Sequence, residues 1–216
     1  MEKIKPVLVL ALIAAVISGL VIGVYTLTYQ DTSKKVTDKE AAALGQIFGS
    51  ETKTDYRVLS PSETVSDGKT YQDLLKDKNI TNVDKVFKKN DGSLGIKCIV
   101  KGYKNGFEIM VGINETDDGA SIAGVSIVSV GEETPGLGTK TNDAAWLGNF
   151  KGSYDKAEIV KTASDEAGKV QAVTSATYSS KGVASAVNVA LEAYPVLKDL
   201  PDSLFKTESD NGGESQ

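Results

Sequence analysis

From Pro6 to Tyr29 the chain carries no charged residue. That run of about 24 residues would make roughly 36 Å of helix, enough to cross the hydrocarbon core of a bilayer with some tilt. A cleaved signal peptide would have a shorter apolar region followed by a small-x-small cleavage pattern. Here the run continues through Leu20, Val21, Ile22 and Val24 into Tyr25 and Tyr29, aromatics suited to the membrane interface, and no cysteine lies nearby to accept a lipid. The expectation is an uncleaved, single-pass anchor in the lipid of the cell membrane. Lys3, Lys5 and the terminal amine flank the run more closely than Lys34 and Lys35 do. This orients the N-terminus to the cytoplasm and the remainder outside it.

The chain beyond the anchor is long enough for one domain with a real core. A formal net charge of −5 leaves no basic face to neutralise phosphates, which excludes nucleic acid as a partner. The chain has no histidine. Ser-His-Asp and Cys-His catalysis are therefore excluded, as are His-ligated zinc, copper and haem. Any redox chemistry must come from an organic cofactor. Cys98, the single cysteine, alternates with Leu94, Ile96 and Val100 and reads as a small buried strand residue.

Thr37-Asp38-Lys39-Glu40 has the form of a capping box and opens a helix through Ala43, Leu44, Ile47 and Phe48, stopped by Gly49. Residues 50–82 are mixed, with a helix around Thr70 to Leu75. Strands at Val83–Lys89 and Leu94–Tyr103 flank the turn Asn90-Asp91-Gly92, and strands at Phe107–Ile113 and Ala120–Val130 flank a turn ending in Asp118-Gly119. A glycine-rich loop over 131–141 and a short helix at Asp143–Phe150 come next. A strand from Lys169 to Thr174 then turns into a helix from about Ser179 to Tyr194. Its apolar positions Val183, Ala186, Val187, Ala190, Leu191 and Tyr194 keep helical spacing. The fold class is α+β, an antiparallel sheet with packed helices, preceded by one transmembrane helix. The expected layout is a cytoplasmic stub and anchor over 1–30, a juxtamembrane linker and helix over 31–55, the folded domain over 56–206 and a disordered tail over 207–216.

Two segments bear on chemistry. In Gln171-Ala172-Val173-Thr174-Ser175-Ala176-Thr177-Tyr178-Ser179-Ser180 a strand becomes a helix through small hydroxyl residues. The free amides of a helix start, together with its dipole, favour a negative group beside Thr177 and Ser179. Either hydroxyl would serve equally well as a plain helix cap. In Glu132-Glu133-Thr134-Pro135-Gly136-Leu137-Gly138-Thr139 the turn is poor in side chains and would let a flat ligand approach the backbone, with Glu133 as an acceptor for it. An ordinary surface loop fits the same residues, and no phosphate-loop pattern occurs.

Taken together, Glu133-Thr134-Pro135-Gly136-Leu137-Gly138 and, about forty residues on, Thr174-Ser175-Ala176-Thr177-Tyr178-Ser179-Ser180 resemble the FMN-binding domain. That domain is shared by the G subunit of the Rnf ion-translocating electron-transport complex and the C subunit of the sodium-translocating NADH:quinone reductase. The resemblance implies FMN bound covalently by a phosphoester to Thr177, put there from FAD by a separate flavin transferase. Ser175, Ala176, Tyr178 and Ser179 would surround the linkage. Glu133, Thr134, Gly136, Leu137 and Gly138 would form the loop against the flavin. Two positions depart from the pattern: Ser175 stands where the family has glycine, and Gln171 where an aspartate often precedes the motif. The compact size favours the Rnf type, which implies an electron relay between reduced ferredoxin and NAD⁺. That relay would be coupled to Na⁺ or H⁺ export and docked to the other membrane subunits, with no catalysis by this chain alone. The alternatives are the quinone-reductase type and a non-redox, membrane-tethered binding or assembly protein.

Overall fold

The computed structural model describes residues 5–28, 33–59, 61, 64–66, 68–117, 119–136 and 138–207. Tyr29, Lys3, Asp118, Leu137 and residues 208–216 of the expected tail therefore lie outside the described residues. The chain divides into two compact units, one ending at Thr32 and the other beginning at Ser33.

The first unit holds α1 (Lys5–Thr28), which contains a window, Val9–Thr26, long and apolar enough to cross a membrane. Its apolar side chains face outward all round, Leu10, Leu12, Leu20 and Ile22 among them. Outward apolar residues on every side suit a lipid solvent rather than water.

The second unit contains, in order, α2 (Asp38–Phe48), β1 (Tyr56–Leu59), β2 (Thr64–Ser66), β3 (Lys69–Thr70), α3 (Tyr71–Asp77), β4 (Val83–Lys89), β5 (Leu94–Val100), β6 (Phe107–Thr116) and β7 (Gly119–Ser129). Then come α4 (Ala144–Gly148), β8 (Glu158–Val160), β9 (Lys169–Gln171), α5 (Thr177–Leu197) and β10 (Phe205–Lys206). Six strands form an antiparallel sheet in the order β10-β1-β4-β5-β6-β7. The expected α+β class is observed. The strands β1, β2, β3, β8 and β10 were not foreseen; each is short, β2 pairs with β3, and β8 pairs in parallel with β9 outside the main sheet.

Each face of the sheet carries a helix. On one, α5 packs Val183, Ala186, Val187 and Ala190 into a cluster with Leu94, Ile96, Cys98, Ile109 and Val111. Cys98 is fully buried there, its Sγ 3.7 Å from the Ala186 carbonyl, and burial pushes its thiol pKa up. An inert core thiol results. On the other face lies α2, whose Leu44, Ile47 and Phe48 join Tyr56, Val58, Phe87 and Met110. Gly95, Gly112 and Gly124 sit side by side across β5, β6 and β7 and form a side-chain-free track under this helix. A Cβ at Gly95 would lie 2.6 Å from Leu44 Cδ2, and one at Gly112 would collide with Ile47.

The sheet matters to function because it brings three connections to one place. A Cβ at Gly131 would collide with the Gly106 carbonyl, so the loop after β7 lies backbone to backbone on the turn after β5. A Cβ at Gly182 would lie 3.0 Å from Gly102 Cα, so α5 rests on that same turn.

Candidate functional site

Strand β9 ends at Gln171, three residues before the expected end, and α5 starts at Thr177 rather than near Ser179. The intervening turn explains both shifts. Ala176 N–H donates to the Val173 carbonyl at 2.9 Å, and Ser180 Oγ accepts from Val173 N–H at 3.0 Å while donating to the Ala176 carbonyl at 2.9 Å. These bonds pull residues 173–176 out of the strand ladder and close them onto the helix. The turn requires Ser175 at φ 66°, in the left-handed region, where glycine is the natural occupant.

No side chain caps α5: the residue before it is Ala176, which has no acceptor to offer. Neither hydroxyl proposed as a plain cap plays that part. Thr177 is exposed, and the buried Ser179 donates its hydroxyl to Glu133 Oε2 at 2.6 Å. The amides of Thr177, Tyr178 and Ser179, the first turn of a 21-residue helix, thus stand at the positive end of its dipole without a side-chain partner.

Next to that turn is a cavity of about 360 Å³ lined by Glu133, Thr134, Gly138, Ser175, Ala176, Thr177, Tyr178, Ser179 and Tyr103. The two segments singled out in the sequence therefore meet in one place. Of the expected site residues, Gly136 is exposed at the loop tip, at φ 76°, and does not line the cavity. The Gly136 N–H donates to Thr139 Oγ1 at 2.9 Å, and the Gly138 N–H to the Thr134 carbonyl at 3.0 Å, which closes the loop on itself. Glu133 is 4 % exposed, and its other oxygen, Oε1, accepts from the Lys104 N–H at 3.0 Å.

Tyr103 is the lining residue that sequence reasoning missed. Its ring lies 6.3 Å from that of Tyr178 at a tilt of 57°, and both remain more than half exposed. The sequence placed Tyr103 at the end of a strand, but β5 stops at Val100 and leaves it in the following turn; its neighbour Gly102 was the one local hint of that turn. Thr174 lines a different, open cleft with Lys140, Asp143, Trp146 and Gln171. The Trp146 indole N–H donates to the Gln171 carbonyl at 2.7 Å. Two threonines three residues apart thus serve separate cavities.

Residues 102–192 match the model of the FMN-binding domain, a stretch that contains both segments. The chain is 35 % identical over 99 residues to the G subunit of the Na(+)-translocating ferredoxin:NAD(+) oxidoreductase complex of Acetobacterium woodii, across 44 % of this chain and 45 % of that one. It is 37 % identical over 92 residues to the G subunit of the proton-translocating ferredoxin:NAD(+) oxidoreductase complex of Clostridium ljungdahlii, across 43 % of this chain and 48 % of that one. The chain thus spans about half the length of the curated relatives it matches. Among solved structures, Shewanella oneidensis NqrC is similar at 24 % identity and a TM-score of 0.42, over 53 % of this chain and 59 % of that one. The C subunit of the Na(+)-translocating NADH-quinone reductase from Parabacteroides distasonis is similar at 21 % identity and 0.43, over 68 % and 78 %. The resemblance read from the two motifs holds over the matched residues.

Proposed function

We propose that this FMN-binding domain carries its flavin covalently on Thr177 and serves as the membrane-anchored electron carrier of an Rnf-type ferredoxin:NAD⁺ oxidoreductase. One observation carries the reading: the glycine loop and the threonine turn, forty residues apart, line one cavity, with the Thr177 hydroxyl beside the uncapped start of α5. A phosphoester there would meet three free amides and the positive end of a long helix dipole, an arrangement that stabilises its charge. Tyr103 and Tyr178 offer aromatic faces, and Thr134 and Gly138 backbone, to the planar part of the group. When bound, the isoalloxazine supplies the electron transfer, and the protein sets its position and exposure.

The remaining parts rest on the relatives. The G subunits of two ferredoxin:NAD(+) oxidoreductase complexes, one translocating Na⁺ and the other protons, support a redox subunit coupled to cation export. The apolar helix α1 supports a membrane anchor; on this reading it docks to other membrane subunits, and the basic residues Lys3 and Lys5 ahead of it place the domain outside the cytoplasm. A flavin transferase is the maturation partner. The test is in-gel flavin fluorescence of the full chain co-expressed with such a transferase. A fluorescent band that survives denaturation is expected, whereas a colourless, dark band from folded protein would favour a non-redox tether.

A further inference from the structure

Glu133 is buried although its neighbours Glu132 and Pro135 are more open to solvent. A carboxylate leaves water at acceptable cost only when its oxygens are met by donors. Here Oε1 takes the Lys104 N–H and Oε2 takes the Ser179 hydroxyl. One side chain therefore ties together the turn after β5, the loop after β7 and the first turn of α5. Two glycines make the room for it. A Cβ at Gly138 would collide with Oε2 and lie 3.0 Å from Ser179 Oγ; a Cβ at Gly102 would collide with Oε1. Gly138 does not occupy the left-handed region, so its backbone would accept alanine. The carboxylate is what demands glycine there.

We propose that Glu133 is a positioning residue, the pin that docks the glycine loop onto α5 and keeps the phosphate seat beside Thr177 open. The role rests on the flavin reading above. With its hydroxyl donated to Glu133, Ser179 cannot fold back onto the start of its own helix, and Ala176 has no group to do so. The first-turn amides thus remain available to an incoming phosphate. With Glu133 removed, the Ser179 hydroxyl and the Lys104 N–H lose their acceptor, and the cavity wall formed by Thr134 and Gly138 loses its buried anchor. Glu133 acts through these groups and does not itself need to touch the flavin.

The test uses the full chain co-expressed with a flavin transferase, measuring covalent flavin per folded protein and the melting of the flavin-free form. Glu133→Ala and Gly138→Ala should each lower covalent flavin at least tenfold while the sheet remains folded. Glu133→Gln should keep more than half, since its amide can still accept from Lys104 and meet the Ser179 hydroxyl. In the flavin-free form the double variant Glu133→Ala/Gly138→Ala should be no less stable than Glu133→Ala alone, because the added Cβ then no longer meets a carboxylate. If Glu133→Ala does not fold, Gly138→Ala and Glu133→Gln decide. Flavin content within twofold of wild type in Glu133→Ala or Gly138→Ala, or fully additive stability losses, would overturn the role alone. A wild-type chain that takes no flavin would overturn the proposed function and this role with it.

Discussion

Ser175 shows how one residue can be tolerated rather than preferred. Its φ of 66° costs an L-residue roughly 1–2 kcal/mol, while glycine gives back about 0.4–1 kcal/mol through its freer unfolded chain. Ser175→Gly should therefore stabilise the domain by a net of about 0.5 kcal/mol, a rise of about 1–2 °C in melting temperature for a unit of this size. Ser175→Val should lower it by more, since a β-branched side chain is least at ease in that region. Thermal denaturation of the flavin-free chain separates the two. A lower melting temperature for the glycine variant would mean that the serine side chain contributes something the turn geometry does not. At this scale the sequence was legible wherever local chemistry sufficed. The hydroxyl-rich turn through Ser175 and Thr177 and the loop glycines were visible as the approach to a helix and a side-chain-poor turn, although the helix begins two residues before the expected Ser179. Tyr103 was not, because its place beside Tyr178 depends on two turns 75 residues apart in the chain meeting at one end of the sheet. The bond from Ser179 to Glu133 was hidden for the same reason, each residue having a plausible local use.

At the scale of elements, α2 was readable and its docking was not. The Thr37–Glu40 capping box and the left-handed Gly49 set both ends of the helix as expected. Yet Glu40 does more than cap. Its carboxylate, 1 % exposed, accepts from the Thr37 N–H at 2.9 Å and pairs with Lys97 at 2.8 Å and Lys85 at 3.1 Å. Lys97 also reaches Asp84 at 2.6 Å. Burial works to raise the Glu40 pKa, but the hydrogen bonds from Lys97 and Thr37 and the charges of Lys97 and Lys85 outweigh it and hold the group below its ordinary 4.5. For Lys97, burial works to lower the pKa, and the bonds to Asp84 and Glu40 with their charges hold it above 10.5. The signs come from linkage. The depressed carboxylate contributes stability above pH 4.5 that is lost as the pH falls through its folded pKa, and the raised lysine contributes stability below pH 10.5 that is lost as the pH climbs through its own. Glu40→Ala should cost about 3 kcal/mol near neutrality, because it removes the buried carboxylate that Lys97 and Lys85 share and leaves Lys97 paired to Asp84 and Lys85 bonded to the Lys35 carbonyl. It should also flatten the acid limb of stability below about pH 5, as urea denaturation across pH would show. An unchanged acid limb would place the loss elsewhere. Nothing local in the sequence announces this pairing, since Lys97 lies 57 residues from Glu40 and reads as the solvent side of an alternating strand. The glycine track of β5, β6 and β7 is hidden in the same way, its three residues meaning little until register aligns them.

For the molecule as a whole, the long apolar N-terminal helix and the α+β class were the most legible features, because each rests on a long pattern: an uncharged run, and regular strand–turn–strand spacing. The short strands β1 and β10 were opaque. They are too short to show a period of two; β1 forms on the edge that β4 offers, with Val58 aligned to Phe87, and β10 forms in turn on β1, with Lys206 opposite Val58. With α1 as an anchor and its basic residues inside, protease added to intact cells should digest the domain from residue 33 onward; full protection would reverse the orientation. Whether two distant segments form one flavin seat with its attachment at Thr177 is decided by peptide mass spectrometry across residues 170–181 of flavin-loaded protein. The FMN mass is expected on Thr177, lost in Thr177→Ala and retained in Thr174→Ala, since Thr174 lines the other cleft. Flavin mapped to Thr174 or Ser175, or retained in Thr177→Ala, would contradict that attachment.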